Sequence, residues 1–278
     1  MHLRCTLTDF ERNYQVKIPS KQINKFSRLY SSNASSTNLD NSKVNMSWFL
    51  CGLVDGSQKS LVIWGTNLTS TVGVKFILKQ LATVQLAPYQ YSVIIGLLLS
   101  DGWLIFASKN HKNARLGFAQ SGANGGYFWS VFWSLSHYCS SYPTLRLRTR
   151  FGKKNISWEI FTRSMPCFTE LHSLFYPNGV KIVPHNIYEL LTPVALAHLI
   201  MGDGSVSRHG LIICTDSYTI PEIVRLINVL MIRYRLDCWL RNHTQTQPRI
   251  YISQSSMPLL RIIVTPYFHP SMLYKIGK

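Results

Sequence analysis

The stretch Leu196-Ala197-His198-Leu199-Ile200-Met201-Gly202-Asp203-Gly204-Ser205 decides how the rest of this sequence is interpreted. It is an apolar run, long enough for a helix, that ends in Asp-Gly. The same pattern occurs earlier, in Ile94-Ile95-Gly96-Leu97-Leu98-Leu99-Ser100-Asp101-Gly102. A carboxylate at the end of a buried helix is costly unless it is paired or bound to a metal ion. One Asp-Gly is a common turn, but two copies in matched surroundings predict two carboxylates with a shared role.

The composition indicates a folded protein with a polyanionic partner. The 278 residues are 46% hydrophobic, which is enough for one or two domains with cores. Lys and Arg number 29 against 12 Asp and Glu, so the formal charge is +17. Such an excess favours nucleic acid as the partner, with an anionic membrane surface as the alternative. No apolar run suits a membrane-spanning helix and no basic amphipathic helix stands out, so no membrane partner is predicted.

The order of predicted elements repeats along the chain. Residues 88–183 and 184–278 each read as α-β-β-α-β-β-α, and short polar anchors keep their order in both. Ala119-Gln120-Ser121 corresponds to Thr215-Asp216-Ser217, and Ser164-Met165-Pro166 corresponds to Ser256-Met257-Pro258. Two similar halves imply a pseudo-twofold axis. The predicted fold is therefore α+β, with two pseudo-symmetric αββαββα repeats.

Residues 1–87 are predicted to be an N-terminal extension that is partly disordered. Residues 31–47 are rich in Ser and Asn and show no periodicity, which is typical of a linker. The basic start of the chain resembles a mitochondrial presequence, although Asp9 and Glu11 count against it and a basic tail of no function is the alternative. This pattern predicts a mitochondrial location.

If the two apolar helices pack at the pseudo-twofold axis, Asp101 and Asp203 emerge side by side at its end. Gly96, Ala195 and Ala197 carry little side chain, so the two backbones can approach closely. Two adjacent carboxylates repel each other unless a cation neutralises them, and a hard divalent ion, Mg²⁺ or Mn²⁺, suits oxygen ligands. Paired acidic residues with such ions suit phosphodiester hydrolysis, with one cut in each strand of a duplex.

The predicted strands carry the basic residues that a DNA-binding surface needs. Arg146, Arg148 and Arg150 alternate along one strand, so they share one face. Arginine is the commonest direct reader of guanine, and it also neutralises phosphate. The alternative is a solvated basic sheet. The remaining candidates for DNA contact are Lys109, Lys112, Arg115, Lys153, Lys154, Arg208, Arg241 and Arg249.

The two motifs resemble those of the LAGLIDADG homing endonucleases of the single-chain, two-repeat type, which are often encoded in organellar introns. Supporting stretches are Ala114 to Ser121, Thr162 to Pro166 and Cys214 to Ser217, and the resemblance covers about residues 88–278. It implies a Mg²⁺-dependent, site-specific endonuclease that cuts double-stranded DNA and leaves short 3′ overhangs. It also implies a monomer in which a saddle of antiparallel sheets lies in the major groove, with the two motif helices at the central interface.

The resemblance also implies catalytic roles. Asp101 and Asp203 match the metal-binding positions, Gln120 and Asp216 match the polar position near the metal and water, and Arg163 matches the basic position, which is usually Lys. The counterpart of Arg163 in the second half falls near Ser255, which is not basic, so Arg249 and Lys275 are the candidates to replace it.

A second function stays open on the same fold. Some members of this family are maturases that bind their host intron RNA and help it to splice, and others have lost cleavage. The presence of both motif aspartates favours retained cleavage. The missing second basic residue keeps the alternative of an intron RNA maturase, or of a decayed nucleic-acid-binding relative.

Overall fold

Two four-stranded antiparallel sheets and the helices packed on them make up the part of the chain that the structure describes. The structure is a computed structural model that describes residues 68–108, 110–150, 153–244 and 247–278. Of residues 148, 150, 153, 154, 243 and 244 it describes the backbone alone. The described residues do not include Lys109 or residues 1–67. The Ser/Asn-rich segment and the presequence-like start lie within residues 1–67.

The helices agree with the sequence prediction to within a few residues at each end, and two short ones were not predicted. The α-helices are Leu78–Thr83 (α1), Pro88–Leu98 (α2), Gly125–Leu135 (α3), Pro166–Phe175 (α4), Ile187–Leu190 (α5), Pro193–Asp203 (α6), Ile220–Ile232 (α7) and Met257–Val264 (α8). The unpredicted elements are α5 and a C-terminal 3₁₀ segment, Pro270–Ile276.

Each half of the chain contributes one sheet. The strands are Gly102–Phe106 (β1), Ala114–Ser121 (β2), Thr144–Arg150 (β3), Lys153–Phe161 (β4), Gly204–Ser207 (β5), Gly210–Ile213 (β6), Cys238–Thr244 (β7) and Gln247–Ser253 (β8). Their order is β1-β2-β4-β3 in one sheet and β5-β6-β8-β7 in the other, and every pairing is antiparallel. The same order in both sheets confirms the predicted α+β fold with two αββαββα repeats.

The motif helices α2 and α6 pack directly against each other at the centre. Both are apolar on all sides, which is typical of a helix with no solvent-facing side, and almost every residue from Val93 to Leu98 is fully buried. Both begin with Pro at the first turn, and the Thr192 hydroxyl caps α6 by accepting a hydrogen bond from the amide of Ala195 at 3.2 Å. A Cβ added to Gly96 would lie 2.4 Å from the carbonyl oxygen of Ala195. The glycine therefore permits the close approach of the two backbones.

The core around this interface is largely aromatic. Tyr127, Phe128 and Phe132 of α3 are fully buried, as their helical spacing predicts, whereas Trp133 is 40% exposed. The Tyr127 hydroxyl lies 3.0 Å from Nδ1 of His198, and burial lowers the pKa of that histidine to about 3. His198 is therefore a neutral core residue of α6. None of the described helices is both long and apolar enough to cross a bilayer.

Residues 68–87, at the end of the predicted N-terminal extension, pack against the first repeat. The carbonyl oxygen of Thr69 accepts a hydrogen bond from Nδ1 of His137 at 2.8 Å. The amide of Ala87 donates to the Tyr138 hydroxyl at 3.0 Å. Leu68 and Val84 are buried in this contact. This segment is thus an integral layer of the fold.

Candidate active site

The structure brings Asp101 and Asp203 together at the end of the helix interface. Asp203 is the last residue of α6, and Asp101 follows α2 by three residues. A Cβ added to Gly202 would lie 3.2 Å from Oδ2 of Asp101, so that carboxylate lies against the residue next to Asp203. Helix packing has therefore placed the two motif carboxylates side by side, as the sequence pattern predicts.

The two carboxylates destabilise each other in their charged forms. Burial raises the pKa of Asp203 to about 7, and the negative charge of Asp101 adds to this rise. Burial also raises the pKa of Asp101, while a hydrogen bond from Gln120 and the charges of two lysines oppose the shift. A pair of hard oxygen ligands that repel each other is well suited to a divalent cation.

The two lysines that face the aspartates are Lys181 and Lys275, one from each half. Nζ of Lys181 donates to the carbonyl oxygens of Ser100 at 3.2 Å and Gly102 at 2.8 Å, on either side of Asp101. Nζ of Lys275 donates to the carbonyl oxygen of Gly202 at 2.5 Å, next to Asp203. Because Ser100 and Gly202 precede the two motif aspartates, the lysines occupy pseudo-symmetric positions.

Burial gives these lysines unusual acidity. It lowers the pKa of Lys181 to about 8, against the opposing charges of Asp203 and Asp101. The pKa of Lys275 is lowered by burial in the same way. An ammonium group with a pKa of about 8, as in Lys181, can exchange a proton near neutral pH. The site therefore contains two basic groups, one for each aspartate.

Arg163 does not face the aspartates. Its guanidinium, on a residue that is 8% exposed, donates through Nη1 to the Thr71 hydroxyl at 2.8 Å and to the carbonyl oxygen of Cys139 at 2.6 Å. Through Nη2 it donates to the carbonyl oxygens of Thr71 and Val74, both at 2.8 Å. Neither aspartate has Arg163 among the groups that shift its pKa. Arg163 joins residues 71–74 to the first repeat, whereas Lys181 lies beside Asp101.

The polar residues Gln120 and Asp216 are held differently in the two halves. Nε2 of Gln120 donates to Oδ2 of Asp101, and its Oε1 accepts from Nδ2 of Asn124 at 2.9 Å. Asp216 accepts a bidentate pair from Arg249, with Nε to Oδ1 at 3.0 Å and Nη2 to Oδ2 at 2.9 Å. The charge of Asp216 still reaches Asp203, whose pKa it helps to raise.

The donor set fits a hard divalent ion that keeps several of its ligands from outside the protein. Among the described residues, no three His, Cys, Asp or Glu side chains gather at one point. Asp101 and Asp203 would hold the ion together, and water and phosphate oxygens would complete its coordination, as Mg²⁺ commonly requires.

Comparison with known proteins agrees with this geometry. Residues 91–260 match the LAGLIDADG DNA endonuclease family. The chain belongs to this family. Cytochrome b mRNA maturase bI2 of Debaryomyces hansenii is 32% identical over 190 residues, which are 66% of this chain and 72% of that protein. Probable intron-encoded endonuclease 1 of Wickerhamomyces canadensis is 28% identical over 200 residues, covering 69% of this chain and 85% of the relative. The solved structure of the homing endonuclease I-WcaI bound to its DNA recognition sequence superposes with a TM-score of 0.63 at 28% identity, covering 68% of this chain and 85% of that one.

Several of the predicted basic residues of this LAGLIDADG protein lie on strands or at hairpin turns of the two sheets. In the second sheet, Arg241 and Arg249 lie directly opposite each other. The ion pair with Asp216 neutralises Arg249, which reduces its repulsion from Arg241. The guanidinium of Arg241 also lies 5.4 Å from the ring centre of Tyr251. Lys112 and Arg208 are exposed at hairpin turns.

The first sheet shows a difference from the expected row of arginines. Arg146 donates from Nε to Oε2 of Glu159 at 2.7 Å, so an acid on the neighbouring strand β4 neutralises it. Arg115 lies over the ring of Phe161, 4.1 Å from its centre. The antiparallel register of β3 and β4 places Arg148 opposite Asn155 and Arg150 opposite Lys153. The side chains of Arg148, Arg150, Lys153 and Lys154, and all of Lys109, lie outside the described part of the chain.

Proposed function

We propose that this chain is a homing endonuclease that binds double-stranded DNA and hydrolyses one phosphodiester bond in each strand with Mg²⁺ or Mn²⁺. Asp101 and Asp203 would hold the ion, and Lys181 and Lys275 would be the basic groups. The chain acts as a monomer, since it supplies both halves of the site. The repeats are residues 88–183 and 184–278, and residues 1–87 form the N-terminal extension.

One observation carries this proposal. Two half-buried carboxylates lie together at the ends of two packed helices, and a lysine of each half holds the backbone beside one of them. Burying two like charges has no structural benefit, because a helix end can be closed by uncharged residues. The arrangement is understandable as a site for a cation and for the phosphate that the cation attracts.

The chemistry follows from the positions of these groups. When bound, the divalent ion lowers the pKa of a water molecule and neutralises charge on the phosphate oxygens. The aspartates hold and orient it. Each lysine lies beside the backbone next to one aspartate, where it would neutralise the phosphate of one strand. Because its pKa is about 8, Lys181 can give a proton to the 3′ oxygen that leaves as the water oxygen bonds to phosphorus. Two pseudo-symmetric lysines support one cut per strand.

The test is cleavage of the intronless version of the host gene with purified protein. We expect double-strand cutting with Mg²⁺ and no cutting with a chelator. The rate of cutting should fall by at least about 100-fold in Asp101→Asn or Asp203→Asn, which is the range for electrostatic catalytic groups. Asp237→Asn, which removes an exposed aspartate outside the site, is the matched control. Cutting that persists in the doubly substituted protein would exclude this mechanism.

A second candidate is an RNA maturase on the same surface, and one finding favours it. The relative from Debaryomyces hansenii is named a cytochrome b mRNA maturase. We propose host intron RNA as the second partner and the mitochondrion as the location. Splicing of the host intron in vitro tests the RNA function. If splicing depends on the protein but is unchanged in Asp101→Asn and Asp203→Asn, the maturase and endonuclease functions are separate. If the protein does not improve splicing, the maturase proposal fails and the endonuclease proposal stands alone.

A further inference from the structure

The two halves of the site differ in how their second polar residue is restrained. In the first half, the neutral amide of Gln120 bonds to Asp101 and is supported by Asn124. In the second half, the equivalent residue is the carboxylate of Asp216, and a bidentate ion pair with Arg249 restrains it. The second half therefore contains two carboxylates where the first contains one.

This difference changes how each half attracts a divalent cation. The amide of Cys214, two residues before Asp216, donates to the carbonyl oxygen of Asp203 at 2.9 Å, so the second half has a further carboxylate close to its motif aspartate. Anionic oxygens are the preferred ligands of Mg²⁺. While Arg249 is bound, however, its guanidinium neutralises Asp216 and occupies both of its oxygens. The ion pair thus weakens the advantage that the second carboxylate would give.

Arg249 is also well placed to leave Asp216. The side chains are 22% and 31% exposed, so solvent screens the ion pair and a phosphate can reach Arg249. Arg249 lies opposite Arg241 in the second sheet, where a phosphate is attracted by two guanidinium groups. A guanidinium binds phosphate in the same bidentate geometry as carboxylate.

We propose that Arg249 is a positioning residue that acts as a latch on Asp216. In the free protein it holds Asp216 in an ion pair. A backbone phosphate of the bound duplex draws Arg249 away, and Asp216 would then join Asp203 in holding the divalent ion. The second half is thereby completed only on DNA, whereas Gln120 is already bonded to Asp101 without it. This inference rests on the proposed metal-dependent function.

The test measures Mn²⁺ binding to the DNA-free protein by electron paramagnetic resonance. We expect Arg249→Met to bind Mn²⁺ about threefold to fivefold more tightly than the wild type, from the release of an exposed ion pair. Arg241→Met loses the same charge from the opposite strand position but leaves Asp216 paired, so its affinity stays within about twofold. Arg249→Met combined with Asp216→Asn returns to the wild-type affinity.

Each other outcome contradicts the latch. The latch is overturned if Arg249→Met binds Mn²⁺ no more tightly than the wild type, or if Arg241→Met gains as much Mn²⁺ affinity. It is also overturned if the gain in affinity persists after Asp216→Asn. These outcomes leave the endonuclease proposal standing. The proposed function fails separately if the wild type binds Mn²⁺ no better than the protein with both Asp101→Asn and Asp203→Asn. In that case there is no ion for Asp216 to hold, and the latch is overturned as well.

Discussion

The substitution Gly96→Ala tests whether the close contact of the two motif helices is essential. A Cβ at this position would lie 2.4 Å from the carbonyl oxygen of Ala195 and 2.6 Å from Cβ of His198. Ordinary contact requires about 3.4 Å or more, so the helices must separate by about 1 Å. The obstacle is backbone and Cβ, which cannot rotate away as the end of a flexible side chain can.

The cost follows from overpacking a tight core. An extra methyl group in a tight core lowers the free energy of unfolding by about 1–3 kcal/mol. Because the obstacle here is backbone, we expect Gly96→Ala to lower it by about 3 kcal/mol or more. For a folded unit of this size each kcal/mol shifts Tm by about 2–4 °C, so we expect Tm to fall by about 6–12 °C. Because Asp101 and Asp203 follow the two helices, the separation also spreads the ion site and weakens Mn²⁺ binding.

Denaturant and thermal unfolding measure the first effect, and Mn²⁺ affinity measures the second. Gly125→Ala is the matched control, since a Cβ there has no neighbour within 4 Å and Gly125 begins helix α3. That change should be neutral or stabilising by up to about 1 kcal/mol. The reasoning is refuted if Gly96→Ala unfolds within about 1 kcal/mol of the wild type.

Three further predictions concern the charged groups. Arg163→Met should lower the free energy of unfolding by about 3 kcal/mol, because buried carbonyl oxygens lose their donor. The rate of cleavage per folded molecule should stay within about twofold of the wild type. Lost cleavage with unchanged stability would instead assign Arg163 to the active site. Lys275→Met and Lys181→Met should abolish cutting per folded molecule, with the exposed Lys278→Met as control; unchanged cutting would refute their role. Burial raises the pKa of Asp203 from its ordinary value of about 4 to about 7. Its charged form therefore destabilises the folded protein progressively between about pH 4 and pH 7, and fully above pH 7. Asp203→Asn should therefore raise Tm at pH 8 and leave it nearly unchanged at pH 4, and equal effects at both pH values would contradict this assignment.

Periodicity and repetition were sufficient for the architecture. Helices α2 and α6 could be located because an unbroken apolar run with Pro at its start and Asp-Gly at its end has few other conformations. The strands followed from alternation and turn residues, with errors of a few residues at their ends. The short helix α5 and the segment Pro270–Ile276 were not predicted, since neither is long enough to show a period.

The sequence did not predict which groups pair with the charged side chains. Arg146 was expected to be a free reader of DNA, but antiparallel pairing brings Glu159 of strand β4 to it. Arg163 occupies the expected basic position in the sequence, but residues 71–74 surround its guanidinium with carbonyl oxygens. Both results depend on segments that are distant in the chain.

The sequence by itself determined the two-fold repeat, the motif aspartates and the basic character of the sheets. These are properties of single elements, and composition and spacing record them directly. Only the tertiary structure decided which lysines meet the aspartates. Lys181 lies in an irregular segment that no local pattern marks. Lys275 lies in the 3₁₀ segment Pro270–Ile276, and the sequence alone does not favour it over the other candidate, Arg249. Both lysines reach the site because chain folding brings their ammonium groups to carbonyl oxygens beside Asp101 and Asp203, and burial there lowers their pKa values.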